Sequence, residues 1–339
     1  MSDTPVESAA RTASVLAIDA GNSKTDVAII AGDGSVLADA RGPGFQPPAV
    51  GVAAAFDMLA STVDEALAKG RAQGAVIDGV DHVSACLANA DLPVEERELT
   101  AALHARGWGR TAEVRNDTFA ILRAGIDEPR GVAVVCGAGM NCVGLLPDGR
   151  TARFPAIGKI SGDWGGGAGL AEEALWFAAR AEDGRGAPTE LARTLPAHFG
   201  LNSVYALIEA LHLGHIASAR KHELTPVLFA TSAQGDHVAR SLILRLAKEV
   251  VAMSTVALAK LGLLQEEAPV LLGGSVLAAR HRALDEHITR LLAKKAPNAV
   301  IEVVTAPPVL GAGLLGLDHV GASAEARATL RAHYTRPRG

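Results

Sequence analysis

The chain has 339 residues, is 49% hydrophobic and 20% charged, and carries a formal net charge of −5. That length and apolar content suffice for two cores, and an acidic balance without a basic block excludes nucleic acid as the main partner. No apolar run reaches the roughly 20 residues of a membrane span, so a soluble, cytoplasmic protein with no membrane partner is expected.

The opening MSDTPVESAARTA, residues 1–13, is polar, lacks the apolar stretch of a secretion signal and reads as a disordered tail. Val15–Ile30 reads as two strands about a tight Gly-Asn-Ser turn, and the GDGS turn with Val36–Ala40 extends it to a three-stranded meander. Gly42–Pro48 reads as irregular. Apolar spacing then predicts a helix over Val52–Ala72, a strand over His82–Leu87, a helix over Val94–Arg106 and a strand over Ala112–Arg115. Asn116–Gly125 starts a further helix, with Asn116 or Asp117 placed to cap it.

The same order then repeats. Gly131–Val135 and Cys142–Leu146 pair about a second glycine-rich loop, followed by a PDGR turn. A glycine-dense segment, Lys159–Leu170, leads into a helix at Ala171–Ala181, and Thr189–Leu264 is α-rich. Pro269–Leu272 is a short strand before Gly273-Gly274-Ser275, Val300–Val304 is another, and Val309–Leu317 is a glycine-broken helix. Meanders followed by helices, occurring twice, imply an α/β protein of two similar lobes with a central cleft.

Cys86, Cys136 and Cys142 have apolar neighbours and read as free, buried thiols. No CxxC or Cys/His group has metal-ligand spacing, and His212 and His215 read as polar helix-face residues.

The two glycine-rich turns carry the chemistry. Successive N–H groups in such a turn form a nest for an anion. In the first, Asp19 ends a strand where a carboxylate holds Mg²⁺ through water, and Asn22, Ser23, Lys24 and Thr25 offer donors to phosphate oxygens. The competing reading is an ordinary hairpin with a solvated tip and Lys24 as a surface charge.

The residues from Val15 to about Leu317 resemble the actin-like ATPase and sugar kinase superfamily. The branch is the one holding N-acetylglucosamine kinases and the BadF-BadG-BcrA-BcrD-type activator ATPases of 2-hydroxyacyl-CoA dehydratases and benzoyl-CoA reductase. DAGNSKTD resembles the first phosphate motif, CGAGMNC the second, and VLLGGSVL the adenosine motif. The resemblance implies two ribonuclease-H-like lobes closing over ATP and a sugar, with ATP and Mg²⁺ as cofactors and a homodimer as the assembly. It divides the chain into an N-terminal lobe (14–122), a C-terminal lobe (123–318) and a segment (319–339) packing back on the first lobe.

Residue by residue, the resemblance makes Asp117 the catalytic base. It assigns Asp19, Gly21, Asn22, Ser23, Lys24, Thr25, Gly137, Ala138, Gly139, Gly273, Gly274 and Ser275 to nucleotide and phosphate. It assigns Gln46, Asn116, Asp117, Met140, Asn141, Ile157, Gly158 and Asp163 to the sugar. Trp164 is instead read as a core ring anchoring its loop. The chain departs from the family pattern at Ala138 and Met140, where Ser or Thr is common, at Gln46 in place of Asn, and in ACLANAD, Ala85–Asp91, in place of a more glycine-rich turn. The implied reaction is ATP-dependent phosphorylation of N-acetylglucosamine at its C6 hydroxyl. The alternatives are a kinase for glucosamine, N-acetylmuramic acid or glucose, an activator-type ATPase with an iron–sulfur cluster, and a sugar-sensing regulator.

Overall fold

A computed structural model describes residues 12–335. The expected tail therefore lies outside the described residues except at its end, where Thr12 bridges to Val76 and the first strand begins at Ala13. The chain divides into two compact units. Unit 1 comprises the residues up to Pro129 and those from Thr305 onward, and unit 2 is Arg130–Val304.

Unit 1 opens with β1 (Ala13–Ala20), β2 (Lys24–Ala31) and β3 (Val36–Pro43). There follow α1 (Pro47–Val50), α2 (Val52–Ala72), β4 (Val80–Leu87), α3 (Pro93–His104), β5 (Gly109–Asn116) and α4 (Thr118–Gly125). Its sheet has the order β3-β2-β1-β4-β5. The meander β1 to β3 is antiparallel, whereas β4 and β5 join parallel to β1 through helical crossovers. Because side chains alternate across a strand, Leu16, Ile18 and Ile29 enter one core with Phe56, Leu59 and Val63 of α2.

Unit 2 consists of β6 (Gly131–Cys136), β7 (Met140–Leu145), β8 (Thr151–Arg153), α5 (Gly166–Glu182), α6 (Leu191–His198) and α7 (Val204–His212). It continues through α8 (Leu224–Ala233), α9 (His237–Lys260), β9 (Ala268–Gly273), α10 (Gly274–Ala278), α11 (Arg282–Leu292) and β10 (Ala299–Val303). The sheet order β10-β9-β6-β7-β8 repeats that of unit 1, strand for strand. The chain then returns to unit 1 as α12 (Pro308–His319) and α13 (Ala324–Thr335).

Several boundaries differ from the sequence reading. Unit 1 keeps residues up to Pro129 and takes back α12, where the sequence reading ended its first lobe at 122 and placed 123–318 in the second. The reason is packing: α12 lies on α4 and β1, and its glycines make that approach possible. A Cβ at Gly311 would lie 1.8 Å from the Ala120 carbonyl oxygen. The glycines thus serve contact, and α12 is a continuous helix rather than a broken one. The helix α5 starts at Gly166, ahead of the expected Ala171, and β5 keeps Asn116 as a strand residue.

All three cysteines are buried and free. Cys142 pairs with Val134 in the β6–β7 ladder and Cys136 with Met140, so the two thiols do not face each other. Burial pushes the Cys136 thiol up to about 12 and raises Cys86 and Cys142 as well. Among the described residues no helix is long and apolar enough to cross a membrane. His82, buried on β4, has its pKa lowered to about 4 by burial and by the neighbouring His319, so its ring is neutral.

Candidate functional site

In unit 1 the carboxyl ends of β1, β4 and β5 meet, the place where open α/β sheets bind ligands. Asp19 stands beside Cys86 in the ladder and Leu87 beside Asn116. The chain leaving each strand is tied to its neighbour: Ala88 N–H donates to the Ala20 carbonyl at 2.7 Å and Asp117 N–H to the Leu87 carbonyl at 3.2 Å.

Asn116 and Asp117 have separate duties. The buried Asn116 accepts from Thr118 N–H through Oδ1 at 2.9 Å and donates through Nδ2 to Asp91 Oδ1 at 2.8 Å. Asn116 thus holds the start of α4, while Asp117, at the N-cap position, makes no side-chain cap bond. Burial raises the Asp117 carboxyl to about 6 against the opposing N–H and hydroxyl of Thr118.

Asp19 is raised further, to about 8, by burial and then by the charges of Asp117 and Asp26. Lys24 offsets little of this, because its ammonium is drawn onto Asp26 at 2.8 Å. Asp26 also takes Arg41 at 2.6 Å, and those hydrogen bonds outweigh burial and hold its carboxyl below the usual range. The buried Asp19 and the half-buried Asp117, whose charge raises Asp19, form a donor set suited to a hard divalent cation such as Mg²⁺, whose charge would let both ionise.

The first turn, exposed at Asn22, Ser23 and Lys24, is clamped by its neighbours, while Thr25 is buried. Gln46 Nε2 donates to the Asn22 carbonyl at 2.6 Å, and Phe45 N–H donates to the Gly21 carbonyl at 2.9 Å. Asn89 Nδ2 reaches Asn22 Oδ1 at 3.1 Å and the Phe45 carbonyl at 3.3 Å. Asn89 has φ of 63°, a left-handed conformation that Asn tolerates better than most residues. Asn89 and Asp91 were not singled out from the sequence. The available signal was the polar ANAD turn after an apolar strand.

In unit 2 the second turn, Gly137–Gly139, is supported by two helix starts. Gly167 N–H at the start of α5 donates to the Gly137 carbonyl at 2.7 Å, and Ala168 N–H to the Ala138 carbonyl at 3.1 Å. Thr225 of α8, also missed in the sequence, donates to the Gly167 carbonyl at 2.6 Å and braces the same corner. A Cβ at Gly137 or Gly139 would meet nothing within 4 Å, so these glycines leave space above the turn rather than serve packing. Gly274, opening α10 with φ of 81°, is the opposite case: a Cβ there would lie 2.5 Å from the Cys136 carbonyl. Gly273 stands beside Val135 in the sheet, so the adenosine-type turn borders the phosphate-type turn, and Ser275 is exposed there.

We expect Gly274→Ala to lose about 1–3 kcal/mol of stability through its left-handed backbone and the clash. Gly137→Ala should stay within about 0.5 kcal/mol of the parent yet raise KM for ATP. Thermal unfolding and nucleotide kinetics on the pair test whether Gly137, unlike the packing glycine Gly274, serves the nucleotide.

The remaining residues assigned to the sugar lie around the same unit. Ser161 Oγ, which accepts Ile157 N–H at 3.0 Å, shares its one proton between the Asp163 carboxylate and the Gly158 carbonyl at 2.9 Å. Ile157 and Gly158 are exposed, whereas Met140 is in the core. Asn141, on β7, accepts the N–H of Cys142 through its Oδ1 at 2.7 Å. Trp164 is a core ring, with the Arg245 guanidinium 4.1 Å from its centroid.

A duplicated sheet of this order, with a glycine-rich turn after the first strand of each copy, is the fold class of actin-like ATPases and sugar kinases. The model of the BadF/BadG/BcrA/BcrD ATPase family matches residues 16–316, and the chain belongs to that family. It is 27% identical over 209 residues to an N-acetyl-D-glucosamine kinase of Dictyostelium discoideum, a match spanning 60% of this chain and 65% of that enzyme. It is 26% identical over 237 residues to an N-acetylmuramic acid/N-acetylglucosamine kinase of Clostridium acetobutylicum, spanning 70% of this chain and 76% of that enzyme. Among solved structures, a Chromobacterium violaceum protein assigned provisionally as an N-acetylglucosamine kinase matches with a TM-score of 0.68 at 22% identity, covering 90% of this chain and 99% of that one. A ROK family glucokinase from Streptomyces griseus matches with a TM-score of 0.51 at 15% identity, covering 90% and 98%. These two likenesses concern the fold.

Proposed function

We propose that the protein is an ATP-dependent amino-sugar kinase that phosphorylates N-acetylglucosamine at its C6 hydroxyl. The observation that carries the reading is the half-buried Asp117, relieved of helix capping by Asn116 and raised to about 6 by desolvation of its carboxyl. A carboxylate with that pKa is a competent base near neutrality. Asp117 takes the proton of the sugar hydroxyl as the hydroxyl oxygen bonds to the γ-phosphorus and the bond to the ADP oxygen breaks. Asp19 would hold Mg²⁺, which would supply charge neutralisation at the phosphate oxygens. The N–H groups of Gly21–Thr25 and Gly137–Gly139 bind phosphate, and the Gly273–Ser275 turn borders the nucleoside. Asp163, oriented by Ser161, accepts sugar hydroxyls, with Gln46 and Asn141 as amide contacts.

The names of the Dictyostelium and Clostridium relatives support an N-acetylated amino sugar as the acceptor. An iron–sulfur activator would need thiolate ligands, and Cys86, Cys136 and Cys142 are all buried with raised pKa values.

The test is ADP release with Mg²⁺–ATP against glucose, glucosamine, N-acetylglucosamine, N-acetylmannosamine and N-acetylmuramic acid. Turnover stimulated by N-acetylglucosamine supports the reading, and ADP release that no sugar stimulates refutes it. Asp163→Ala is expected to raise KM for the sugar roughly tenfold to a hundredfold, the worth of a charge-assisted hydrogen bond. An unchanged KM would remove Asp163 from the sugar site.

A further inference from the structure

The sequence shows no metal-ligand spacing, yet three elements of unit 1 bring metal-binding side chains together. His82 lies on β4, Glu113 on the adjacent β5 and His319 at the last position of α12. In the parallel ladder His82 stands beside Thr111 and Ser84 beside Glu113, so Glu113 sits diagonally from His82, two residues on and hence on the same face. The helix α12 crosses that face: a Cβ at Gly316 would lie 3.1 Å from Ser84 Cβ, and His319 follows less than one turn later. One ligand atom from each of His82, Glu113 and His319 falls within 4.8 Å of the others.

The surroundings of His82 fix which nitrogen is available. Thr111 Oγ1 donates its one proton to the Asp81 carbonyl at 3.0 Å. With that proton on the carbonyl the hydroxyl accepts toward His82 Nδ1, 2.9 Å away, which assigns the ring proton to Nδ1. The unprotonated Nε2 is then the ligand atom. A ring N–H anchored by an outer partner while the other nitrogen stays free is the arrangement found around metal-bound histidines. The two imidazoles are stacked 3.7 Å apart, and His319, exposed at the helix end, is the ring that turns to aim its nitrogen. The carboxyl end of α12 also places the negative pole of the helix dipole beside a cation. Against it stands Arg115, whose Nε and Nη2 both contact Glu113 Oε1 at 2.9 Å. Glu113 Oε2 is the oxygen assigned to the metal.

We propose that His82, Glu113 and His319 bind a zinc ion, with water completing a tetrahedral site. Two imidazoles and a carboxylate suit Zn²⁺ rather than Mg²⁺ or Ca²⁺, which prefer oxygen ligands. The site lies five residues along β4 from Leu87, about 17 Å from the carboxyl ends of the strands. It therefore tethers α12 to the sheet rather than taking part in phosphoryl transfer, and it stands independently of the proposed function.

The test is zinc titration of the tag-free full chain against a chromophoric chelator, with thermal unfolding in parallel. One Zn²⁺ per chain and a zinc-dependent rise in Tm are expected. His319→Ala and Glu113→Gln, both at accessible positions, should weaken binding at least tenfold and abolish the rise in Tm while leaving the circular dichroism of the metal-free chain unchanged. Thr111→Val, which removes the acceptor for the His82 ring proton, should weaken binding tenfold to a hundredfold as a positioning effect. No zinc binding by the parent chain overturns the proposal, as does parental stoichiometry and affinity in His319→Ala.

Discussion

Asp117→Asn is expected to lower kcat by roughly 10²- to 10⁴-fold, the usual worth of a general base, while the fold is kept. Asparagine matches the carboxylate in shape but cannot take a proton. Stability should not suffer, because the capping bond to α4 belongs to Asn116, whose Oδ1 is 2.9 Å from Thr118 N. The sign can be worked through. Desolvation raises Asp117 from 3.8 in the free group to about 6, so above pH 6 the folded state bears the cost of a half-buried charge. The neutral amide has no such cost, and Tm at pH 8 should equal or exceed that of the parent. The same pKa predicts the rate profile: with saturating Mg²⁺–ATP, kcat/KM for the sugar should fall tenfold per unit below about pH 6, where the base is protonated. Near-parental turnover in Asp117→Asn would remove Asp117 from the chemistry. A loss of turnover with a fall in Tm would point to a structural role instead.

Asp318→Ala is expected to destabilise the protein by about 3–5 kcal/mol. Arg123 on α4 is 1% exposed and has Asp318 of α12 at 2.7 Å. Its Nη1 also donates to the Ile126 carbonyl at 2.7 Å. Removing the carboxylate leaves a guanidinium buried with only a carbonyl for compensation. Total stabilities are of the order of 5–15 kcal/mol, so a loss of this size would bring the chain close to its unfolding threshold. Urea unfolding of the parent and Asp318→Ala measures it, and Arg123→Met/Asp318→Ala, which removes the buried charge as well, should recover most of the loss. A change under 1 kcal/mol in the single variant would mean that water solvates Arg123 in the native state.

Much of the candidate site was legible because the pattern that suggests it is local. Asp19, the Gly21–Thr25 turn, Gly137–Gly139 and Gly273–Ser275 are short runs in which the glycines, the strand before them and the polar residues announce a phosphate-type turn together. Asn116 and Asp117 were both visible as cap candidates, but adjacent residues cannot be told apart by propensity alone. The hydrogen bond of Asn116 to Asp91, 25 residues away, separates their roles. Asn89, Asp91 and Thr225 were not legible, since each acts through a partner that no sequence spacing links to it. Asn89 reaches Asn22, 67 residues distant.

The sequence by itself determined the two cores, the repeated strand meanders and their glycine turns. Side-chain periodicity, turn chemistry and burial depend on residues a few positions apart. Only the tertiary structure decided that α12 belongs with the first sheet and that His82, Glu113 and His319 converge. Each of these depends on which distant elements share a face, and close packing of α12 through Gly311 and Gly316, rather than any local preference, sets that choice.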